Sequence, residues 1–256
     1  MKSKEELNKT FDSYVRNYDL NDKLVNVKYL HTYRVADNCE KIAKNLELNE
    51  QQIHIAYVIG LLHDIGRFYQ ATKYKTFKDL DTIDHANLGV EILKNNDYLH
   101  QYVSDCKYDD IILDSIYFHN KFKLLEDNKY SDIEYIFFKI IRDADKIDIY
   151  NILSNTDFVT SQSQFNISEV SENVKESFKS HNLVNRKDEK TNSDSIITTI
   201  AMIYDIYFKC SYEFLLSSNY ISKYINEVVE PVDDISKDAL KSIDECVLKY
   251  IKSKLV

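Results

Sequence analysis

The scarcity of glycine and proline constrains the fold of this chain more than any other feature. Only three glycines and one proline occur in 256 residues. Sheets joined by tight turns need residues that tolerate positive φ or that fix a turn, so this composition disfavours a large β protein. The chain is 44% hydrophobic and 29% charged, which is the balance of a folded globular protein rather than a disordered one. We therefore predict an all-α fold.

Apolar periodicity supports this prediction. A stripe from Val35 through Cys39 and Ile42 to Leu46 advances by four, three and four residues, which places it on one face of a helix. Between Phe68 and Asp84 the pattern is lost, which predicts a loop. Similar spacing predicts further helices over about 49–66, 111–119, 133–153, 170–178, 194–228 (with a break) and 234–252.

The charge balance bears on partners. The formal net charge is −9 and the pI is near 5.3, which argues against a nucleic-acid duplex or an anionic membrane as a partner. It is compatible with a small anionic substrate held by a few local cations. The first ten residues lack the apolar stretch of a secretory signal. The best membrane-span candidate, residues 196–216, contains three charged side chains. A cytoplasmic protein is expected.

The strongest chemical signal is the run His63-Asp64-Ile65-Gly66-Arg67, which follows the apolar residues 56–62. Burial of an imidazole and a carboxylate is costly, and a cation would offset that cost. Both groups are ligands of divalent transition metals. Taken alone, the dipeptide fits a helix cap or an ion pair equally well.

Other histidines and aspartates stand in comparable positions. His31 is predicted to open an amphipathic helix, His85 precedes an apolar helix, and His119 ends one on its apolar side. Asp145 shares the apolar face of the helix over 133–153 and should point inward. Asp143 is offset from Asp145 by about 200°, so we expect it to face solvent or to lie behind the metal ligands.

The order of these residues resembles that of the HD-domain superfamily of metal-dependent phosphohydrolases, over about residues 28–150. By this resemblance one ion is held by His31, His63, Asp64 and Asp145. His85 and His119 match the additional histidines of the subset with binuclear centres, in which Asp64 would bridge two ions. The resemblance implies one or two divalent transition-metal ions, with Fe, Mn, Zn, Co and Ni left open.

The residue three positions after Asp64 indicates which branches of the superfamily the chain resembles. Deoxynucleotidase and alarmone-hydrolase branches have a glutamate there, whereas this chain has Arg67. A basic residue is similar to the branches with four histidines, which are cyclic-dinucleotide phosphodiesterases, symmetric diadenosine tetraphosphate hydrolases and diiron inositol-type oxygenases. The Gly-Tyr-Pro motif of the first group is missing, since the single proline is Pro231.

The resemblance implies hydrolysis of a phosphate ester or phosphoanhydride in a nucleotide-like substrate, with a metal-bound water as the nucleophile. The predicted catalytic residues are Asp64, Arg67 and Lys146. Arg67 and Lys146 would orient the phosphate, with a salt bridge to a nearby carboxylate as the alternative role of each. Asp143 or Asp148 could fix histidine tautomers. Two other functions stay open: a diiron HD-type oxygenase and a non-catalytic nucleotide-binding sensor.

For the domain organisation we predict a single helical domain, residues 1–256. It would comprise an HD-like metal-binding core over 28–150 and a C-terminal helical extension over 159–256. Residues 159–194 are rich in Ser, Asn, Gln and Lys, which is typical of a surface excursion or a domain boundary. We favour the surface excursion.

Overall fold

The computed structural model describes residues 1–124, 127, 129–155 and 163–256. Helices make up nearly all the regular structure of these residues, and the all-α prediction is confirmed. The chain divides into two compact units, Met1–Asp145 and Lys146–Val256. The predicted division into a core and an extension stays a prediction, and residues 159–162 of the extension lie outside the described residues.

The first unit is helical. Short 3-10 turns at Asp79–Asp81, Asn95–Gln101 and Cys106–Tyr108 connect its later helices. Its helices are α1 (Lys4–Val15), α2 (Lys23–Asn45), α3 (Glu50–Leu62), α4 (Ile65–Tyr74), α5 (His85–Lys94), α6 (Asp109–Phe118) and the part of α7 (Asp132–Leu153) that ends at Asp145.

Helices α2 and α3 pack closely, and this contact forms the centre of the first unit. Val35, Cys39 and Ile42 of the predicted stripe are buried. On the α3 side, a Cβ added to Gly60 would lie 2.6 Å from the Cα of Ala36. The two backbones therefore approach closely only because residue 60 has no side chain.

Helices α4 and α5 meet at another glycine. A Cβ on Gly66 would overlap the carbonyl oxygen of His85. The contact places the first residue of α5 beside the start of α4. It therefore brings His85 next to Asp64, which is the N-cap residue of α4.

Two local expectations were wrong. The loop predicted to begin at Phe68 begins after Tyr74, where α4 ends. Phe68 is buried and its ring lies 5.7 Å from that of Phe11 in α1, so tertiary packing extends a helix whose own periodicity is weak. His31 lies inside α2 rather than at its start, because Asp22 caps this helix eight residues earlier than expected.

The second unit contains shorter helices and one parallel strand pair. The strands are β1 (Ser163–Phe165) and β2 (Val229–Pro231), with Gln164 opposite Glu230. The helices after the end of α7 are α8 (Glu172–Lys179), α9 (Asn192–Ile200), α10 (Lys209–Ser218), α11 (Tyr220–Lys223) and α12 (Asp234–Ser253).

The predicted helix over 194–228 occurs as several pieces. A 3-10 turn at Ala201–Asp205 follows α9, and a π-helical turn at Tyr224–Val228 follows α11. Helices α8 and α12 match the predictions near 170–178 and 234–252. None of the helices in the described part of the chain has the length and apolar content that crossing a bilayer requires.

Candidate metal centre

The predicted histidines and aspartates of the first unit converge on Asp64. Ligand atoms of His31, His63 and Asp64 lie within 4.8 Å of one another, and so do those of Asp64, His85 and His119. Helix α2 carries His31, while His63 and Asp64 join α3 to α4. His85 begins α5, His119 follows α6, and Asp145 lies in α7.

Each oxygen of the Asp64 carboxylate faces one pair of histidines. Oδ2 lies 3.5 Å from Nε2 of His31 and 3.3 Å from Nε2 of His63. Oδ1 lies 3.2 Å from Nε2 of His85 and 3.7 Å from Nε2 of His119. This is the arrangement of a carboxylate that can bridge two cations.

Asp145 provides a second carboxylate next to His31 and His63. Its Oδ1 lies 3.1 Å from Nε2 of His31 and 3.8 Å from Nε2 of His63. Asp64 occupies the N-cap position of α4 without a capping hydrogen bond from its side chain. The helix-cap role that the sequence left open for this carboxylate is therefore not the one it takes.

Three of the histidines have a defined tautomer. Nδ1 of His63 donates to the carbonyl of Gly60 (2.7 Å), and Nδ1 of His119 donates to the carbonyl of Ile116 (2.6 Å). Nδ1 of His85 donates to Oδ2 of Asp79 (2.6 Å). Because these oxygens can only accept, each neutral ring carries its lone pair on Nε2, the atom that faces Asp64.

The site fits a metal ion. Nε2 of His85 and Nε2 of His119 lie 2.9 Å apart beside Oδ1 of Asp64, and electron pairs this close repel unless a cation or a proton lies among them. Nε2 of His63 and Oδ1 of Asp64 are buried and make no hydrogen bond within the described residues. Imidazole nitrogens with carboxylate oxygens are a donor set for divalent transition metals.

The electrostatics favour the ligand form of these groups. Burial lowers the pKa of His63, and burial together with the charge of Arg67 lowers the pKa of His85 to about 4. Burial would raise the pKa of Asp64, but the charge of Lys28 holds it well below its usual range. At neutral pH the two imidazoles are therefore neutral and the carboxylate is ionised.

Arg67 lies next to this centre. Its Nε is 3.5 Å from Oδ1 of Asp64, and its Nη1 donates to Oδ1 of Asp79 (2.9 Å) and to the carbonyl of Phe77 (2.7 Å). The side chain thus combines the two roles that the sequence left open, since it borders the centre and also forms a salt bridge.

The remaining predicted residues are placed differently. Lys146 and Asp148 belong to the second unit. There, Nζ of Lys146 lies 2.7 Å from Oδ2 of Asp205, which is the salt bridge left open as an alternative. Its role toward a substrate stays a prediction. Asp143 is fully buried, which excludes the solvent-facing alternative and leaves a position behind the metal ligands as a prediction.

Two residues beside the candidate metal centre were not predicted from the sequence. Lys28 places Nζ 2.6 Å from Oδ2 of Asp64, and its position one turn before His31 on α2 was an available signal. Asp79 contacts His85 and Arg67 from the segment between α4 and α5. There the sequence has no periodicity to indicate where a side chain points.

The fold and the ligand set define a helical protein with a cluster of histidines and aspartates that could hold metal ions. Residues 29–150 match the family model of the HD domain. The HD-domain resemblance of this segment is therefore confirmed, and an HD domain implies a superfamily of metal-dependent hydrolases. No curated protein and no solved structure matches the chain.

Proposed function

We propose that this protein is a metal-dependent phosphohydrolase that cleaves a phosphate ester or phosphoanhydride bond in a nucleotide-like substrate. The observation that carries the proposal is the Asp64 carboxylate, whose two oxygens face different histidine pairs within an HD domain. Such a carboxylate has the position of a bridging ligand.

The ligand assignment follows the contacts of Asp64. His31, His63, Asp64 and Asp145 would hold one ion, and His85, His119 and Asp64 would hold a second. When bound, the ions would supply a water molecule acidic enough to act as a nucleophile near neutral pH and would stabilise charge on the phosphoryl oxygens.

The protein itself supplies the groups that would hold the phosphate. Lys28 and Arg67 place positive charge next to opposite oxygens of Asp64, so an anionic group entering the site meets a cation on either side. Lys146 remains a predicted phosphate-binding residue, although its ammonium pairs with Asp205.

One aromatic side chain supports the nucleotide-like part of the proposal. The ring of Phe77 lies 5.3 Å from Nζ of Lys28 and 5.5 Å from Cζ of Arg67. Both cations lie over this ring, so a phosphate that they bind would be held next to an aromatic side chain, which suits a substrate that combines a phosphate with a flat base. The net charge of −9 accords with a small substrate rather than a nucleic-acid duplex.

The test begins with metal analysis of protein purified without oxygen, followed by a panel of phosphoesters and nucleotides. We expect about one to two transition-metal ions per chain. We also expect hydrolysis that is lost in Asp64→Ala and Asp64→Asn and retained in Asp37→Ala, an exposed aspartate of α2. Full activity in both Asp64 variants would overturn the proposal.

The same assays separate the two alternatives. Turnover that requires oxygen and redox-active iron would indicate the diiron oxygenase, since this donor set also suits iron. Turnover with Mn²⁺ under nitrogen would count against it. A nucleotide that binds tightly and is never cleaved would indicate the sensor.

A further inference from the structure

A carboxylate outside the predicted ligand set is bonded to both the centre and its arginine. Oδ2 of Asp79 accepts from Nδ1 of His85 at 2.6 Å and from Nδ2 of Asn120 at 3.3 Å. Oδ1 accepts from Nη1 of Arg67 and from Nε2 of Gln70, both at 2.9 Å. Both oxygens are therefore used, and each bonds one functional side chain.

We propose that Asp79 is a positioning residue for the ion site formed by Asp64, His85 and His119. It would fix the tautomer and direction of the His85 ring and hold Arg67 at the edge of the site. This inference rests on the proposed function, because it assigns Asp79 a role toward the second of the two proposed ions.

His85 needs such a partner because of its place in the fold. His63 and His119 each donate Nδ1–H to a carbonyl three residues earlier, at Gly60 and Ile116, on the helix that each of them ends. His85 is the first residue of α5, so no preceding turn of its own helix offers a carbonyl. Asp79 supplies the acceptor instead.

The segment that carries Asp79 is fastened to α4. Gln70 is fully buried, and its Nε2 lies within hydrogen-bond distance of Oδ1 of Asp79 (2.9 Å), Oγ1 of Thr82 (2.9 Å) and the carbonyl of Ile83 (3.1 Å). Arg67 bonds the carbonyl of Phe77 on the other side of Asp79. The carboxylate is thus held in place before any ligand arrives, which is what a positioning group requires.

The charge of Asp79 matters as well as its shape. Arg67 Nε lies 3.5 Å from the Asp64 oxygen that faces His85 and His119, so its positive charge opposes a cation at that oxygen. The ion pair of Arg67 with Asp79 offsets this repulsion. Asp79→Asn therefore removes the counter-charge of Arg67 and weakens the hydrogen bond to His85, and Asp79→Ala removes both.

The test is a Co²⁺ titration of the metal-free full-length protein, followed by calorimetry and visible absorption. We expect two ions in the wild type. In Asp79→Asn and Asp79→Ala, the affinity for one ion should fall by about 10- to 100-fold while the other changes by less than about threefold. Asp81→Asn, an exposed aspartate of the same 3-10 turn, should match the wild type.

A second measurement reports on the hydrogen bond directly. In ¹⁵N-histidine spectra of the metal-free protein, His85 should be the Nδ1–H tautomer in the wild type, and this preference should weaken in Asp79→Asn, which keeps the size of the side chain.

The outcomes are distinct. Wild-type protein that binds no Co²⁺ would overturn the proposed function. Wild-type protein that binds two ions, with both affinities unchanged in folded Asp79→Asn, would overturn the inference alone. Uptake of a single ion by the wild type would also overturn the inference, since His85 would then have no ion to serve.

Discussion

The ammonium of Lys28 lies 2.6 Å from Oδ2 of Asp64, the carboxylate around which the histidines are arranged. Both side chains are largely buried, with 13% and 2% of their surfaces exposed. The pair keeps Asp64 ionised, because the positive charge outweighs the effect of burial on the pKa of this carboxyl. Lys28 therefore keeps the Asp64 carboxylate in the ionised form that binds a metal, and at the same time it competes with a metal cation for Oδ2.

Substitution of Lys28 by methionine separates these effects. Lys28→Met keeps the length of the side chain and removes its charge. We expect kcat/KM for the phosphorylated substrate to fall by about 10- to 100-fold, which corresponds to the loss of one charge-assisted hydrogen bond. Affinity for Co²⁺ should stay the same or rise, because the competing cation is gone. Steady-state kinetics and a Co²⁺ titration measure the two effects.

The control for this prediction is Lys41→Met, an exposed lysine on the same helix, which should behave like the wild type. A Lys28→Met protein with unchanged kcat/KM and weakened Co²⁺ binding would show that Lys28 supports the metal ligands and does not contact the substrate.

Much of the fold and of the site could be predicted because it depends on local spacing. The stripe from Val35 to Ile42 indicated α2, and the apolar pattern from Ile133 indicated α7 almost to the residue. The inward direction of Asp145 followed from its helical face, since a period of 3.6 residues fixes which side chains share a face. The histidines that the motif singles out along the chain lie close to Asp64 in the structure, as the motif predicts.

The parts that could not be predicted depend on contacts distant in sequence. Helix α4 extends to Tyr74 because Phe68 packs against Phe11, which lies 57 residues earlier in the chain. Asp79 faces the centre because Gln70 and Arg67 bond its segment. Neither arrangement produces a periodic pattern, so a reading of the sequence alone assigns both regions to a featureless loop.

Removal of the metal should destabilise the folded protein. A ligand that binds only the native state, at a concentration of 100 times its Kd, adds about 2.7 kcal/mol to the free energy of unfolding. For a chain of this size that is a rise in Tm of roughly 5–10 °C. Thermal unfolding should therefore shift upward when Co²⁺ or Mn²⁺ is added to chelator-treated protein. Asp64→Asn should show no shift. Equal Tm values for wild type with and without metal would contradict the ligand assignment.

The close approach of α4 and α5 at Gly66 predicts a loss of metal binding without any change in a ligand. In Gly66→Ala the new methyl group would overlap the carbonyl oxygen of His85, so α5 must move away from α4. We expect the free energy of unfolding to fall by about 1–3 kcal/mol and the affinity for one Co²⁺ ion to fall with it, since His85 moves away from Asp64. Urea unfolding and a Co²⁺ titration measure these changes.

Gly60→Ala is the matched comparison. Its methyl group would meet the backbone of Ala36, where α3 packs on α2, so a similar loss of stability is expected. The His85 backbone is not the group displaced there. If both variants lose stability but neither loses affinity for an ion relative to the wild type, the position of His85 does not depend on the contact at Gly66.

Asp194 should make the stability of the second unit depend on pH. Its buried carboxylate accepts from the backbone N–H of Ser171 (2.7 Å), from the Ser171 hydroxyl (2.8 Å) and from the backbone N–H of Lys190 (2.9 Å). Burial would raise the pKa of Asp194, but these hydrogen bonds outweigh it and lower the pKa below its usual value.

A carboxyl whose pKa is lower in the folded than in the unfolded state stabilises the protein above the unfolded value, which is about 4, and loses that contribution as pH falls through the folded value. Asp194→Asn should therefore lower the free energy of unfolding by about 1–3 kcal/mol at pH 7. It should also reduce the dependence of that free energy on pH below about 5. Urea titrations at pH 7, 5 and 3 measure both effects, with Asp238→Asn, an exposed aspartate of α12, as the control. If Asp194→Asn is less stable than the wild type by the same amount at all three pH values, the hydrogen bonds do not stabilise the ionised form of the Asp194 carboxyl.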